Sequence, residues 1–407
     1  MAKRPIRIRC GAEEWTLITI SAIVLIAGLF VKDLAGVVDE HHHVAQIEHY
    51  RHGSFAPDPG VATFPGYHLL LWGISAVFRL TTLNELRFLS CLLGLASVAV
   101  FYRCAVKIDP RVALVRTLEY FLLPILFPYF FLVYTDPCAM LFLLLAVSEY
   151  LDKRYVFAGI WAGLSVLVRQ SCVFWVCLLL AMAYVDAYGF RLSKYALQEH
   201  LRRCWTFVLV IVGFSLFVLI AGQVAVASTQ YHPLGIFRIE NIIFSLLMVF
   251  LLFWPLLVPR LSEMYRLLKC HPWPFVAGFI MAGLCLWLFT VDHPYNVSSF
   301  FLRNRVLRLF TSNAALKAWL LLPVFLAILF LGVVSLRSQS QYLLYPFWLL
   351  SLLPFWLIET RYYIPPMALF LLFRQSESFV LERRLLMHWG GLSAIVFSNI
   401  VSRQAFP

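Results

Sequence analysis

Residues 38–67, VDEHHHVAQIEHYRHGSFAPDPGVATFPGY, hold four of the chain's 21 acidic residues and five of its 11 histidines. With helical spacing, Asp39, His43, Gln46 and Tyr50 fall at i, i+4, i+7 and i+11, which places an acid, an imidazole, an amide and a phenol on one face. Such a face carries a group able to take a proton and neighbours able to orient it. Glu40 supplies a second carboxylate beside Asp39, while Glu48, His49 and His52 lie elsewhere on the segment. Pro57, Pro59 and Pro65 then break the helix and let the chain fold back, with Asp58 at the bend. The plainer alternative is a solvated loop that joins two membrane helices.

Other groups combine charge with position. Tyr134-Thr135-Asp136-Pro137 sets a carboxylate at a helix start, where capping is the ordinary role and substrate contact the alternative. Arg169-Gln170 sits in a tight turn between apolar runs. A guanidinium at that depth faces a polar cavity, unless it snorkels to the surface. Glu359-Thr360-Arg361-Tyr362-Tyr363 sets an acid and an arginine two apart beside aromatics, which suits a phosphate or sugar edge and equally an interfacial aromatic belt. His293 stands in VDHPYN, ahead of Arg303, Arg305 and Arg308, a basic cluster of the kind that binds phosphate. His41-His42-His43 is not expected to hold a metal, because consecutive helical residues point about 100° apart. Asn296-Val297-Ser298 is a glycosylation sequon so close to an apolar run that its use is not expected.

The elements that must position these groups are membrane helices. The chain is 62% hydrophobic and 13% charged, with a mean hydropathy of +0.82, whereas a soluble protein has about a quarter of its residues charged. A span needs about 20 apolar residues, and the polar turns between the apolar runs leave no room for a soluble domain. The expected fold is therefore one all-α, polytopic membrane domain over 1–407 with about twelve spans. The net charge of +12 is dispersed as small Lys/Arg clusters between apolar runs, the pattern of membrane loops, so no nucleic-acid partner is expected. Neither a cleavable signal peptide nor a disulfide framework is expected.

Lys3, Arg4, Arg7 and Arg9 place the N-terminus in the cytosol, so a span at 15–31 delivers the acidic segment to the far side. The apolar run 67–80 is short for a span and reads as an interfacial helix, which makes 38–87 a large first outer loop. Further spans are expected at 88–105, 118–132, from 139, at 156–168, 171–185, 205–226 and 242–258, before VDHPYN, and at 319–334, 342–358 and 364–373, with 385–401 interfacial or spanning. This parity gathers most Lys/Arg clusters on one side and Asp39, Glu40, Asp136, Arg169, His232, His293, Glu359 and Arg361 on the other.

Within this arrangement DEHHHVAQIEHY, with its acidic pair, His43 and Gln46, resembles the opening motif of the GT-C class of integral-membrane glycosyltransferases. More closely, it resembles the dolichyl-phosphate-glucose-dependent alpha-1,2-glucosyltransferase family, which adds the last glucose to the lipid-linked oligosaccharide for N-glycosylation. The likeness continues through DPGVATFPGY, LRFLS, PYFFLVYTD and VRQSCVFW, then HPLGIFR, HPYN with FFLRNRV, and TRYYIPP. It covers most of the chain and is most specific in the first 180 residues. The chain departs from the family at ASTQYHP, where a charged Gly-Asp segment is absent, and around His293, where an Asp-Asn-Arg stretch is absent.

The resemblance implies a polyprenyl (dolichyl) phosphate glucose donor and a lipid-linked oligosaccharide acceptor; no cofactor is expected, and no metal-binding residues are assigned. It places the site on the non-cytosolic face of the endoplasmic reticulum membrane, or of a bacterial inner membrane. A beta-linked glucosyl phosphate gives an alpha-linked product by inversion in one displacement, which needs a carboxylate to take the acceptor proton. Asp39 is the expected base, with Glu40 second. His43 and Gln46 are expected to orient acid and substrate, Arg169 and Arg361 to meet the phosphate, and Asp58 to contact the acceptor. Tyr134, Asp136, Gln170, His293 and Tyr362 complete the expected substrate site, and membrane lipid surrounds the donor's tail in a groove between spans. Two other readings stay open: a transferase of another sugar or acceptor, such as a bacterial envelope glycan, and a lipid or solute transporter. A transporter predicts broken helices and an internal repeat, and no convincing repeat is visible.

Overall fold

A computed structural model describes residues 10–233 and 237–407. Lys3, Arg4, Arg7 and Arg9, which carry the sidedness argument, and 234–236 of HPLGIFR lie outside the described residues. Within them the chain is helical, and its β contacts are two isolated bridges, Phe301 with Phe406 and Leu336 with Arg374.

Helix α1 (Cys10–Val31) exposes Trp15, Leu17, Leu25 and Leu29, the outward apolar surface of a helix in lipid. Its successor α2 (Glu40–Arg51) buries Glu40, His43, Gln46, Ile47 and Tyr50. The expected face is therefore real, with Asp39 one residue ahead of the helix. After the proline bend comes α3 (Gly66–Phe78), a short apolar helix. The α4 helix (Leu83–Ile108) opens on a capping box, in which Thr82 Oγ1 accepts from Glu85 N and Glu85 Oε2 accepts from Thr82 N.

Proline sets several helix lengths. The run expected to span at 118–132 is instead α5 (Ala113–Phe121), a turn, and a 3-10 segment (Phe127–Phe131), because Pro124 and Pro128 cannot donate and clash with the preceding turn. Next come α6 (Thr135–Leu151), α7 (Tyr155–Val168) and α8 (Val173–Tyr188). A bend of 86° separates α9 (Lys194–Arg203) from α10 (Trp205–Ala221). Helix α11 (Glu240–Leu257) runs on into α12 (Leu261–Cys270), followed by α13 (Pro272–Trp287), α14 (Leu302–Thr311), α15 (Ala314–Trp319) and α16 (Leu321–Val333). The run expected at 342–358 is only α17 (Leu344–Leu352), which stops ahead of Pro354. Pro365 and Pro366 then open α18 (Ile364–Phe373), and α19 (Phe379–Val401) runs for 23 residues.

Five helical stretches are long and apolar enough to cross a membrane: Glu13–Val31, Leu83–Ile108, Gln170–Tyr188, Glu240–Cys270 and Ala314–Val333. The bent pair α9 and α10 would make six. Helices such as α5, α17 and α18 reach only about 15 Å, half the thickness of a hydrocarbon core.

Packing runs from α4 to α6 to α7 to α10, while α11 carries α16 and α19. Gly159 permits the α7–α10 contact, since a Cβ there would lie 2.1 Å from Thr206 Oγ1 and 2.8 Å from the Phe207 backbone nitrogen.

Candidate active site

Asp39 is held from below by its neighbour. Glu40 is fully buried, and Arg87 of α4 donates to it twice, from Nε at 2.9 Å and Nη2 at 2.7 Å. Backbone N–H groups of Val133 and Val37 donate to the same carboxylate at 2.9 and 3.0 Å. The other Arg87 donors bind the carbonyls of Val31 and Leu34, each at 2.7 Å, so this one side chain ties the end of α1 to the start of α2. The expectation of Glu40 as a second base does not fit this burial: both of its oxygens are engaged, and it serves as an anchor.

Above the anchor, Tyr134 Oη accepts from Asp39 N at 3.2 Å and donates to the Val37 carbonyl at 3.1 Å. The Asp39 side chain stays 38% exposed, and Arg361 Nη2 donates to its Oδ2 at 2.7 Å. Partial burial alone would raise the Asp39 pKa. The Arg361 guanidinium outweighs it and holds the carboxyl below its ordinary range, so Asp39 is ionised at neutral pH.

Arg361 is itself in a lattice of alternating charge. It sits over the Tyr134 ring at 5.3 Å and the Tyr129 ring at 5.9 Å, 3.6 Å from Glu359 and 4.0 Å from Asp136. Asp136 in turn pairs with Arg169, and Arg303 pairs with Glu359 at 3.0 Å. The Arg169 guanidinium lies 5.6 Å over the Tyr362 ring, which stacks on Phe355 at 3.9 Å. Three acids thus balance three guanidiniums in one connected network. Of the residues singled out by sequence, Asp39, Tyr134, Asp136, Arg169, Arg361 and Tyr362 converge there.

The remaining candidates have different surroundings. His43 Nδ1 shares a hydrogen bond with His68 Nε2 at 2.9 Å, and its ring packs edge-on against Tyr134. Burial pushes His43 down to about 4 against the pull of Asp39, so the imidazole is neutral. Gln46 fastens the loop, accepting from Asp58 N at 2.6 Å and donating to the Ala56 carbonyl at 3.2 Å. Asp58 binds His42 Nδ1 and its own loop at Gly60 N, each at 2.9 Å. Gln170 clasps the carbonyls of Ala62 and Val224 and accepts from Phe64 N. Beside it, Gly66 touches the Leu167 carbonyl so closely that a Cβ would lie 2.5 Å away. His293 accepts from Tyr295 N at 3.1 Å and packs on Trp356. These contacts give Gln46, Asp58, Gln170 and His293 structural partners in the loops around the network.

The expectation that Arg303, Arg305 and Arg308 form a phosphate-binding cluster also needs correction. Arg303 is buried between Glu359 and the Pro407 carbonyl, Arg305 binds the Ser299 and Gln404 carbonyls, and Arg308 binds the Val297 carbonyl. Sequence reasoning assigned no role to Arg87, although a charge flanked by apolar residues calls for a partner, and it passed over His68 and Tyr129. Among the described residues, no group of three His, Cys, Asp or Glu is placed to hold a metal ion.

Fold and site together define a helical multi-pass membrane protein with an ionised, arginine-held carboxylate at the mouth of a buried charge network. The chain belongs to the DIE2/ALG10 family, whose family model matches residues 35–199 and 187–372. It is similar to a Mus musculus protein, 22% identical over 395 residues that cover 82% of each chain. A Homo sapiens protein is 22% identical over 394 residues, again 82% of each. A Drosophila melanogaster protein is 27% identical over 156 residues, 37% of this chain and 34% of the relative. All three are named Dol-P-Glc:Glc(2)Man(9)GlcNAc(2)-PP-Dol alpha-1,2-glucosyltransferase. No solved structure matches the chain.

Proposed function

We propose that this chain is an inverting glucosyltransferase that moves glucose from a dolichyl phosphate donor to a lipid-linked oligosaccharide by an alpha-1,2 linkage. Family membership and the names of its relatives support the reaction, and the Asp39–Arg361 contact beside the Asp136–Arg169 pair supports the site. Asp39 takes the proton from the acceptor hydroxyl as its oxygen attacks the anomeric carbon. The bond from that carbon to the phosphate oxygen breaks, and its electron pair leaves with the phosphate. A phosphate needs no general acid to depart, but its growing charge needs cations in a water-poor setting. Arg361 spends Nη2 on Asp39 and Arg169 pairs through Nη1 with Asp136, which leaves each fork with further donors for phosphate.

On this reading 1–407 is one multi-pass GT-C-like domain, and 38–87 forms an outer loop carrying α2 and α3. The site faces the lumen of the endoplasmic reticulum, and the donor's tail lies in membrane lipid between helices. Purified protein given radiolabelled dolichyl-phosphate-glucose, or dolichyl-phosphate-mannose, with lipid-linked oligosaccharide should move glucose alone. Transfer of mannose would reassign the donor, and transfer of neither would sink the reading.

A further inference from the structure

After α19 the chain turns back and enters the wall of the site. Arg403 adopts a left-handed conformation at φ 55, and the N–H groups of Gln404 and Ala405 donate to the Asn399 carbonyl at 2.9 and 3.3 Å. The chain then pairs with the start of α14: Phe406 N donates to the Phe300 carbonyl at 3.0 Å, and Leu302 N donates to the Phe406 carbonyl at 2.7 Å. Two arginines bind its carbonyls, Arg305 at Gln404 and Arg303 at Pro407, each at 2.7 Å. Ala405 is fully buried and Phe406 is 2% exposed.

What the segment packs against gives it a role beyond sealing the fold. The Phe406 ring stacks on Tyr134 at 5.8 Å and meets the edge of Tyr129 at 6.0 Å. Those two rings are the aromatic seats of the Arg361 guanidinium. A second route reaches the same group, since Arg303 bridges from the Pro407 carbonyl to Glu359, which lies 3.6 Å from Arg361. A guanidinium over an aromatic face is held by the ring's position, and a ring backed by another ring cannot retreat without opening a void.

We propose that Phe406 is a positioning residue: together with residues 402–407 it fixes Tyr134 and Tyr129, and through them the reach of Arg361 to Asp39 and to the donor phosphate. This rests on the transferase reading. The mechanical part stands without it, because the seating of Arg361 is observable in a protein that turns nothing over.

The test compares full-length wild type, Phe406→Ala, Phe406→Leu and Arg305→Gln, all purified in detergent or nanodiscs. Hydrogen–deuterium exchange of 359–363 is expected to quicken in Phe406→Ala while α4 and α11 stay protected. In glucosyl transfer, kcat per folded molecule should fall roughly 10- to 100-fold, the scale of an ångström-sized misplacement, with acceptor KM held within about twofold. Phe406→Leu refills most of the space and should recover much of the loss. If Phe406→Ala does not fold, Arg305→Gln frees the segment from the exposed side and should quicken exchange at both 402–407 and 359–363. Wild-type exchange at 359–363 in a variant that has loosened 402–407 overturns the proposal, as does unchanged kcat in folded Phe406→Ala. Absence of transfer by wild-type protein is a different failure, that of the transferase reading, and leaves the exchange comparison to decide this one.

Discussion

Asp39 and Arg361 stand 322 positions apart in the chain and meet at 2.7 Å. Neither is placed by its own neighbours alone. Asp39 is set by the buried Glu40–Arg87 pair beneath it, and Arg361 by the Tyr129 and Tyr134 rings. The contact leaves Asp39 38% exposed, open to a substrate hydroxyl on one side and neutralised on the other. A general base needs both conditions, ionisation and access.

Asp39→Asn keeps the size of the side chain and removes its basicity. General-base catalysis contributes about 100- to 10,000-fold, so kcat should drop by at least the lower figure while donor lipid still binds. Turnover at the wild-type rate would remove Asp39 from the base role.

The pH profile of Arg361→Gln tests the electrostatics. In the native protein burial raises the Asp39 pKa and the guanidinium outweighs it, so the acid limb of kcat/KM should lie below about 3.9, the ordinary aspartate value. Without Arg361 the burial effect is less opposed and the pKa rises. A base is active only when deprotonated, so activity should begin to fall at a higher pH than in wild type. An acid limb that stays put would mean that Arg361 does not hold Asp39 ionised.

What could be read in advance follows the reach of the signals. The face of His43, Gln46 and Tyr50 was legible because helical spacing is local, and proline positions gave the bend after α2 for the same reason. Hydropathy identified the membrane class, but it read through Pro124 and Pro354 as if the helices were continuous. Arg169 and Arg361, expected to meet a phosphate, stand instead in ion pairs, Arg361 with Asp39 and Arg169 with Asp136, as charges beside apolar runs need partners. Which partner each would take depends on folding across hundreds of residues. Arg303 and Glu40 therefore appeared as free functional charges, and Phe406 carried no signal at all.

Glu40→Gln distinguishes an anchor from a second base. It leaves Arg87 buried without its counter-ion, which costs about 3–5 kcal/mol, so thermal unfolding should come markedly earlier. Molecules that remain folded keep Asp39 ionised, and their kcat should fall far less than in Asp39→Asn. A well-folded Glu40→Gln protein with the Asp39→Asn loss would restore Glu40 to the chemistry.

The Asn296-Val297-Ser298 sequon carries a prediction that depends on burial. Asn296 is 2% exposed, and its Nδ2 donates to Asn304 Oδ1 and to the Ile358 carbonyl, each at 3.0 Å, while its Oδ1 accepts from Ile358 N. A glycan on Nδ2 replaces one of its two hydrogens, so at least one of these donor bonds is lost, and the sugar could not fit a site only 2% exposed; Ile358 adjoins Glu359 of the charge network. The protein expressed in a glycosylating cell should therefore show no mobility change at this position on glycosidase treatment. Asn296→Asp keeps the acceptor but not the two donors, and a buried hydrogen-bonding group lost in this way costs about 1–3 kcal/mol. Its signature should be a lowered melting temperature with no change in glycan content; a glycosidase-sensitive Asn296 would place this loop outside the core described here.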